Sequence, residues 1–202
     1  MDDFFAYAAR GTKTLYRRKP FIADAHYHVF NRRTDKATVF RTDADKQSFV
    51  DCLIARRTRM SPSGSVVPLA FAVLDNHFHL VLSQADARAI TSFMRGFMIA
   101  CAMRHNRRHK TMGPLFDDRY QARPIESANH LKRAIAYVHA NPPDLHTSPF
   151  SSHGAYVDQR ARTDAARAVD ARRGLALFGS QDKYLAAFAR EAASREARRS
   201  HR

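Results

Sequence analysis

In Leu74–Leu82, LDNHFHLVL, two histidines placed two residues apart interrupt an otherwise apolar run. Strand side chains alternate between faces, so His77 and His79 point to one side while Phe78, Leu80 and Leu82 point to the other. Such a strand offers two nitrogen ligands to one divalent metal and anchors them through its apolar face. A second stretch, Ala136–Pro143, AYVHANPP, places Tyr137 and Asn141 four apart on an expected helix, and hence on one face.

The rest of the chain arranges itself around these two stretches. Ala25–Arg32 reads as a strand from its aromatic and β-branched content, and Thr38–Arg41 as a short partner strand. Asp43 is the expected N-cap of a helix over 44–59, with Phe49, Val50, Leu53 and Ile54 on one face. Ser61–Ser65 is a turn by composition, Val66–Leu74 a strand, and Asp75-Asn76 a tight link into the His77–Ser83 strand. A helix from Asp86 or Ala87 to about His109 carries Ile90, Phe93, Met94, Phe97 and Cys101 at core spacing, and Gly113-Pro114 breaks it. Leu115–Ile125 is a loop or edge strand. Ser127 then caps a helix whose buried stripe is Leu131, Ile135 and Val138, with Arg133, Tyr137 and Asn141 on a more polar face. The strand–helix–strand–strand–helix order, with one link too short for a crossover, predicts an α+β sandwich whose helices cover one face of an antiparallel sheet. Three parts are expected: a basic lead-in over 1–20, a catalytic domain over 21–155, and an Arg/Ala-rich helical extension over 156–202.

The formal net charge of +15 over 202 residues points to a polyanionic partner, either nucleic acid or an anionic membrane surface. No apolar run approaches a membrane span, and Met1-Asp2-Asp3 is wrong for a basic signal-peptide start. Cys52 and Cys101, at apolar helix positions, read as buried reduced thiols of a cytoplasmic protein. Nucleic acid is therefore the expected partner.

The ordered set Tyr27-His28-Val29, Asn31-Arg32-Arg33, Phe40, Asp45, Asn76–Leu80, Gly113–Tyr120, Tyr137–Pro142 and Pro149–Ser152 resembles the single-tyrosine HUH transposases. Within them it is most similar to the REP-associated tyrosine transposases. The resemblance spans about residues 20–155. It implies a ferredoxin-like fold with the His–x–His pair on a central strand, and an enzyme that cuts and rejoins single-stranded or hairpin DNA. By the same resemblance His77, His79 and Asn141 match the ligands of a magnesium or manganese ion, and Tyr137 matches the nucleophile. Relatives differ on whether the tyrosine works beside its own histidines or a second subunit's, so either a monomer or a homodimer is expected. As a DNA enzyme it would be nucleoid-associated in the cytoplasm.

The chemistry is coherent on its own terms. A phenol with an ordinary pKa near ~10 needs help to attack a phosphodiester at neutral pH. A metal on the two imidazoles would polarise a phosphate oxygen. Arg104, Arg107, Arg108, Lys110, Arg119, Arg123 and Arg133 are the candidate DNA-backbone contacts, and Phe116 and Tyr120 candidate base-stacking rings, Phe116 being at least as good a core residue. His26 and His28 form a second alternating pair, so spacing alone does not choose between the pairs. His28 is the candidate supporting or DNA-contacting group, and His139 a structural one. A nucleic-acid-binding relative without activity is the main alternative. A histidine-triad nucleotide hydrolase would need a histidine at 81, where this chain has Val81.

Overall fold

The computed structural model of the chain describes residues 20–33, 37–60, 63–143, 148–160 and 162–200. The lead-in over 1–19 and Ser61-Pro62 of the expected turn lie outside them. Strand β1 (Ala25–Arg32) leads to helix α1 (Asp43–Met60), then β2 (Val66–Leu74), β3 (His77–Gln84), α2 (Ala89–His109) and β4 (Gln121–Ile125). The sheet runs β2-β3-β1-β4, and each neighbouring pair is antiparallel. This βαββαβ order, with β1 and β3 central, is the ferredoxin-like arrangement. Asp75-Asn76 forms the hairpin, with Leu74 paired to His77.

The two faces of the sheet carry separate cores. Tyr27, Val29, Phe71, Val73, Phe78, Leu80 and Leu82 pack against Phe49, Leu53, Ile90, Phe93 and Phe97 of α1 and α2. On the other face Ala70, Ala72 and Val81 meet Leu131, Ile135 and Val138 of α3 (Ala128–His139). Helices thus cover both faces, where the element order predicted one. The cause is α3, which follows β4 and returns across the side that α1 and α2 leave open. Its N-cap is as expected, with the Ser127 hydroxyl accepting from the His130 amide at 3.1 Å.

Two local expectations give way. Thr38–Arg41 forms no strand: the Val39 and Phe40 amides both donate to the Asp75 carbonyl, which makes this segment a turn over the hairpin. Asp43 is not the cap of α1 either. The Thr42 hydroxyl accepts from the Asp45 amide at 3.3 Å, and the Asp45 carboxylate accepts from the Thr42 amide at 3.1 Å. This reciprocal pair is a capping box, and it satisfies two orphan donors where Asp43 would satisfy one.

Beyond β2's outer edge, residues 150–152 run alongside the strand, with Val73 donating to Phe150 and Ser152 to Phe71. The edge is therefore covered. Helices α4 (His153–Val157), α5 (Asp164–Ala168), α6 (Ala171–Ala176) and α7 (Gln181–Ser200) follow. Tyr156, Leu175, Phe178, Tyr184 and Phe188 from these helices join the second core against α3. The expectation of an appendage poor in large apolar residues missed these contacts.

A buried polar chain ties α7 to α3. The Tyr184 hydroxyl meets His139 Nδ1 at 2.8 Å and also His153 Nδ1, while His139 Nε2 meets the Ser152 hydroxyl at 2.7 Å. His139 is thus structural, as expected. Replacing Tyr184 with Phe keeps the ring and leaves two buried imidazoles short of a partner, so unfolding stability should fall by about 1–3 kcal/mol. Urea denaturation measures this, and an unchanged midpoint would contradict the network.

Candidate active site

The site is built on the two central strands. Register places Phe30 opposite His79 and Arg32 opposite His77 across the β1–β3 ladder. Alternation puts His28, Phe30 and Arg32 on the same face as His77 and His79, under α3. His79 Nδ1 meets His28 Nε2 at 2.9 Å, and the two rings stack with centroids 5.1 Å apart. His77 Nδ1 meets Asn76 Oδ1 at 2.6 Å. With Nδ1 engaged on each ring, Nε2 is the nitrogen each has left for a metal. Such outer partners fix the ring and tautomer of a metal-binding histidine.

Metal ligation also requires neutral imidazoles. Burial pushes His28 down to about 3, helped by the positive charges of Arg123 and His130. Burial, with Arg32 and Arg195, pushes His77 to about 3 against the opposing pull of Asp75. His79 is held well below its ordinary value by burial and then by His28, His77 and the same two arginines. At neutral pH the pair therefore offers two uncharged nitrogen donors.

Tyr137 reaches this cluster from α3 of the same chain. Its ring lies edge-on to His79 and His28, with centroids 5.8 and 5.9 Å away. The face of α3 that carries it is not solvated: Tyr137 is 8% exposed and belongs to the second core. Sequence periodicity identifies one buried stripe, but α3 is buried twice, on the sheet and under α7.

Asn141 lies just beyond the C-terminal end of α3. It is buried, and its Nδ2 donates to the Tyr137 carbonyl at 2.8 Å, back onto its own helix. Among the described residues no hydrogen bond or ring contact joins it to His77 or His79.

The basic residues divide between the two faces. Arg104 and Arg108 lie behind the sheet on α2, where they pair with Asp51 at 3.9 Å and Asp45 at 3.0 Å on α1. Arg107 and Lys110 are exposed at the same helix end, and Arg119 is exposed in the loop before β4. Arg123 stands on the histidine face, over the Phe30 ring at 5.3 Å. Arg133 is exposed on α3. Phe116 is buried in the first core and Tyr120 packs partly against it. Sequence reading missed two cations beside the histidines. Arg32 was visible from its alternation with His28, whereas Arg195 depends on how α7 docks.

A second cluster sits behind the sheet. Asp45, His105 and His109 bring ligand atoms within 4.8 Å of one another, a group able to hold a metal ion. Asp45 Oδ1 already meets His109 Nε2 at 2.8 Å and the Arg108 guanidinium at 3.0 Å. Burial alone would raise the Asp45 pKa, but bonds from His109, Arg108 and Thr42 outweigh it and hold it at about 2. Arg108 thus occupies the position where a cation would compete.

No family model matches the chain, and no curated protein matches it in sequence. Among solved structures, one described as a REP-associated tyrosine transposase bound to a REP hairpin superimposes with a TM-score of 0.56. The two share this fold. At 17% identity the match covers 72% of this chain and 86% of the other. Among the described residues no helix is long and apolar enough to cross a membrane.

The buried histidines make stability acid-sensitive. Folded values near 3 for His28 and His77, against the ordinary 6.5, mean that the unfolded chain binds the extra protons. Their contribution is complete above about pH 6.5 and is lost as pH falls from there toward 3. Urea midpoints of the chelator-treated protein should drop steadily between pH 7.5 and 5; a flat profile would show these imidazoles to be solvated.

Proposed function

We propose that this chain is a divalent-metal-dependent enzyme that cuts and rejoins single-stranded or hairpin DNA, with Tyr137 as nucleophile. The observation that carries the reading is the edge contact of Tyr137 with His79, inside a set of neutral imidazoles whose Nδ1 atoms are engaged. The solved transposase with this fold was captured on a REP hairpin, and the net charge of +15 suits the same class of ligand. His77 and His79 would hold magnesium or manganese, which supplies Lewis-acid polarisation of the scissile phosphate when bound.

The chain's own groups do the rest. The Tyr137 oxygen forms a bond to phosphorus as the bond from phosphorus to the 3′ oxygen breaks. The phenolic proton leaves to solvent and the 3′ oxygen takes one up. The products are a 5′-phosphotyrosine and a free 3′-hydroxyl, and retention of the phosphodiester energy allows rejoining by the reverse step without a nucleotide. Phe30 and the α3–sheet packing exclude water from the Tyr137–His79 contact. The contact of Tyr137 with His79 inside one chain supports a site in which the tyrosine works beside its own histidines.

A second reading is that the chain binds hairpin DNA without cutting it, a role the net charge of +15 suits equally well. A labelled hairpin oligonucleotide incubated with manganese separates the two. Strand cleavage with a denaturation-resistant protein–DNA adduct supports the enzyme, and a mobility shift without adduct supports the binder. Tyr137→Phe should abolish the adduct with little loss of hairpin affinity, and His77→Ala should remove metal-dependent cleavage. An adduct undiminished in Tyr137→Phe would refute the nucleophile assignment.

A further inference from the structure

Helix α7 carries a cation onto the proposed nucleophile. Tyr184, Phe188 and Ala192 recur every four residues along α7 and pack into the second core, which turns this stripe toward α3. Arg195 continues the stripe at its far end. Its guanidinium stands over the Tyr137 ring, 5.1 Å from the centroid. That ring lies edge-on to His79 and His28, so one half-buried side chain stands beside the phenol on the histidine side of the sheet.

The company is unusual for a structural arginine. A second cation, Arg32, stands opposite His77 on the same face of the sheet. The nearby carboxylates are Asp75 beside His77 and Glu191 one turn back on α7. Glu191 is shared: burial raises its pKa, and Arg133, Arg198 and Arg195 pull it back. Arg195 over the phenol, Arg32 opposite His77 and Arg123 opposite His28 gather three cations on the histidine face, and such a grouping favours an anion. Arginine's planar fork donates to two oxygens of a phosphate at once.

We propose that Arg195 is a catalytic residue that grips the non-bridging oxygens of the phosphate attacked by Tyr137, so that the C-terminal helix completes the active site. The inference rests on the reading of Tyr137 as nucleophile. Arg195 forms and breaks no covalent bond. Its N–H groups follow the phosphate oxygens as negative charge grows in the transition state.

The test uses the full chain and a hairpin oligonucleotide with manganese. Wild type first defines the phosphate joined to protein. Arg195→Ala should slow single-turnover adduct formation by about 10²-fold or more. Arg195→Lys should recover part of that, and free guanidinium should restore the Ala variant, which a packing role would not allow. Binding gives a readout independent of turnover. In a Tyr137→Phe background, a neutral methylphosphonate at the mapped phosphate should weaken binding about tenfold when Arg195 is present and less than about twofold when it is Ala. An Ala variant as fast as wild type overturns the proposal, as does an equal methylphosphonate effect in both backgrounds. If wild type forms no adduct, the nucleophile reading fails and this inference fails with it.

Discussion

Everything at the site depends on the alternation of side chains along one central strand. Phe78, Leu80 and Leu82 lock β3 into the core formed with α1 and α2, and this forces His77, His79 and Val81 toward α3. A slip of one residue would bury the imidazoles under α1 and drive three large apolar groups against α3, so packing on one face fixes chemistry on the other. Pairing on both sides, with β2 and with β1, removes the freedom of an edge strand. Burying neutral histidines is tolerable only because each Nδ1 has a partner, His28 for His79 and Asn76 for His77. The same bonds that satisfy the rings orient them.

The second layer adds a constraint of its own. Helix α3 lies between the small residues Ala70 and Ala72 on the sheet and the aromatic stripe of α7. Small side chains below let the helix approach, and Tyr184 and Phe188 above hold it down. Tyr137 therefore emerges from a helix fixed on two sides, which sets its ring against His28 and His79 without help from another subunit. The buried chain from Ser152 through His139 and Tyr184 to His153 couples the extension to that helix. A side chain held this way is already ordered before a ligand arrives, which lowers the entropy cost of the role proposed for it.

The parts legible in the sequence were those governed by short-range rules. Aromatic and β-branched content located β1, period-two alternation sorted the faces of β3, the Asp75-Asn76 hairpin followed from its length, and Ser127 marked the start of α3. Arg32 was readable by the same rule and was overlooked. What stayed hidden depends on long-range docking. Tyr137 looked solvent-facing because its second cover, α7, is remote in sequence and reads as Arg/Ala-rich. The Asp45 clasp on Arg108 and His109 joins α1 to the end of α2, so the basic run at 104–110 looked free when three of its members, Arg104, Arg108 and His109, were paired. The capping of α1 by Thr42 and Asp45, rather than Asp43, needed the side-chain geometry itself.

Two clusters of potential metal ligands stand on opposite sides of the sheet, and the proposed chemistry requires the ion to choose the histidine face. The anomalous diffraction signal of a manganese-soaked crystal locates it directly. Convergence of His77, His79 and Tyr137 predicts a peak within bonding distance of Nε2 of both histidines. A peak confined to Asp45, His105 and His109, or none on the Tyr137 side of the sheet, would contradict it.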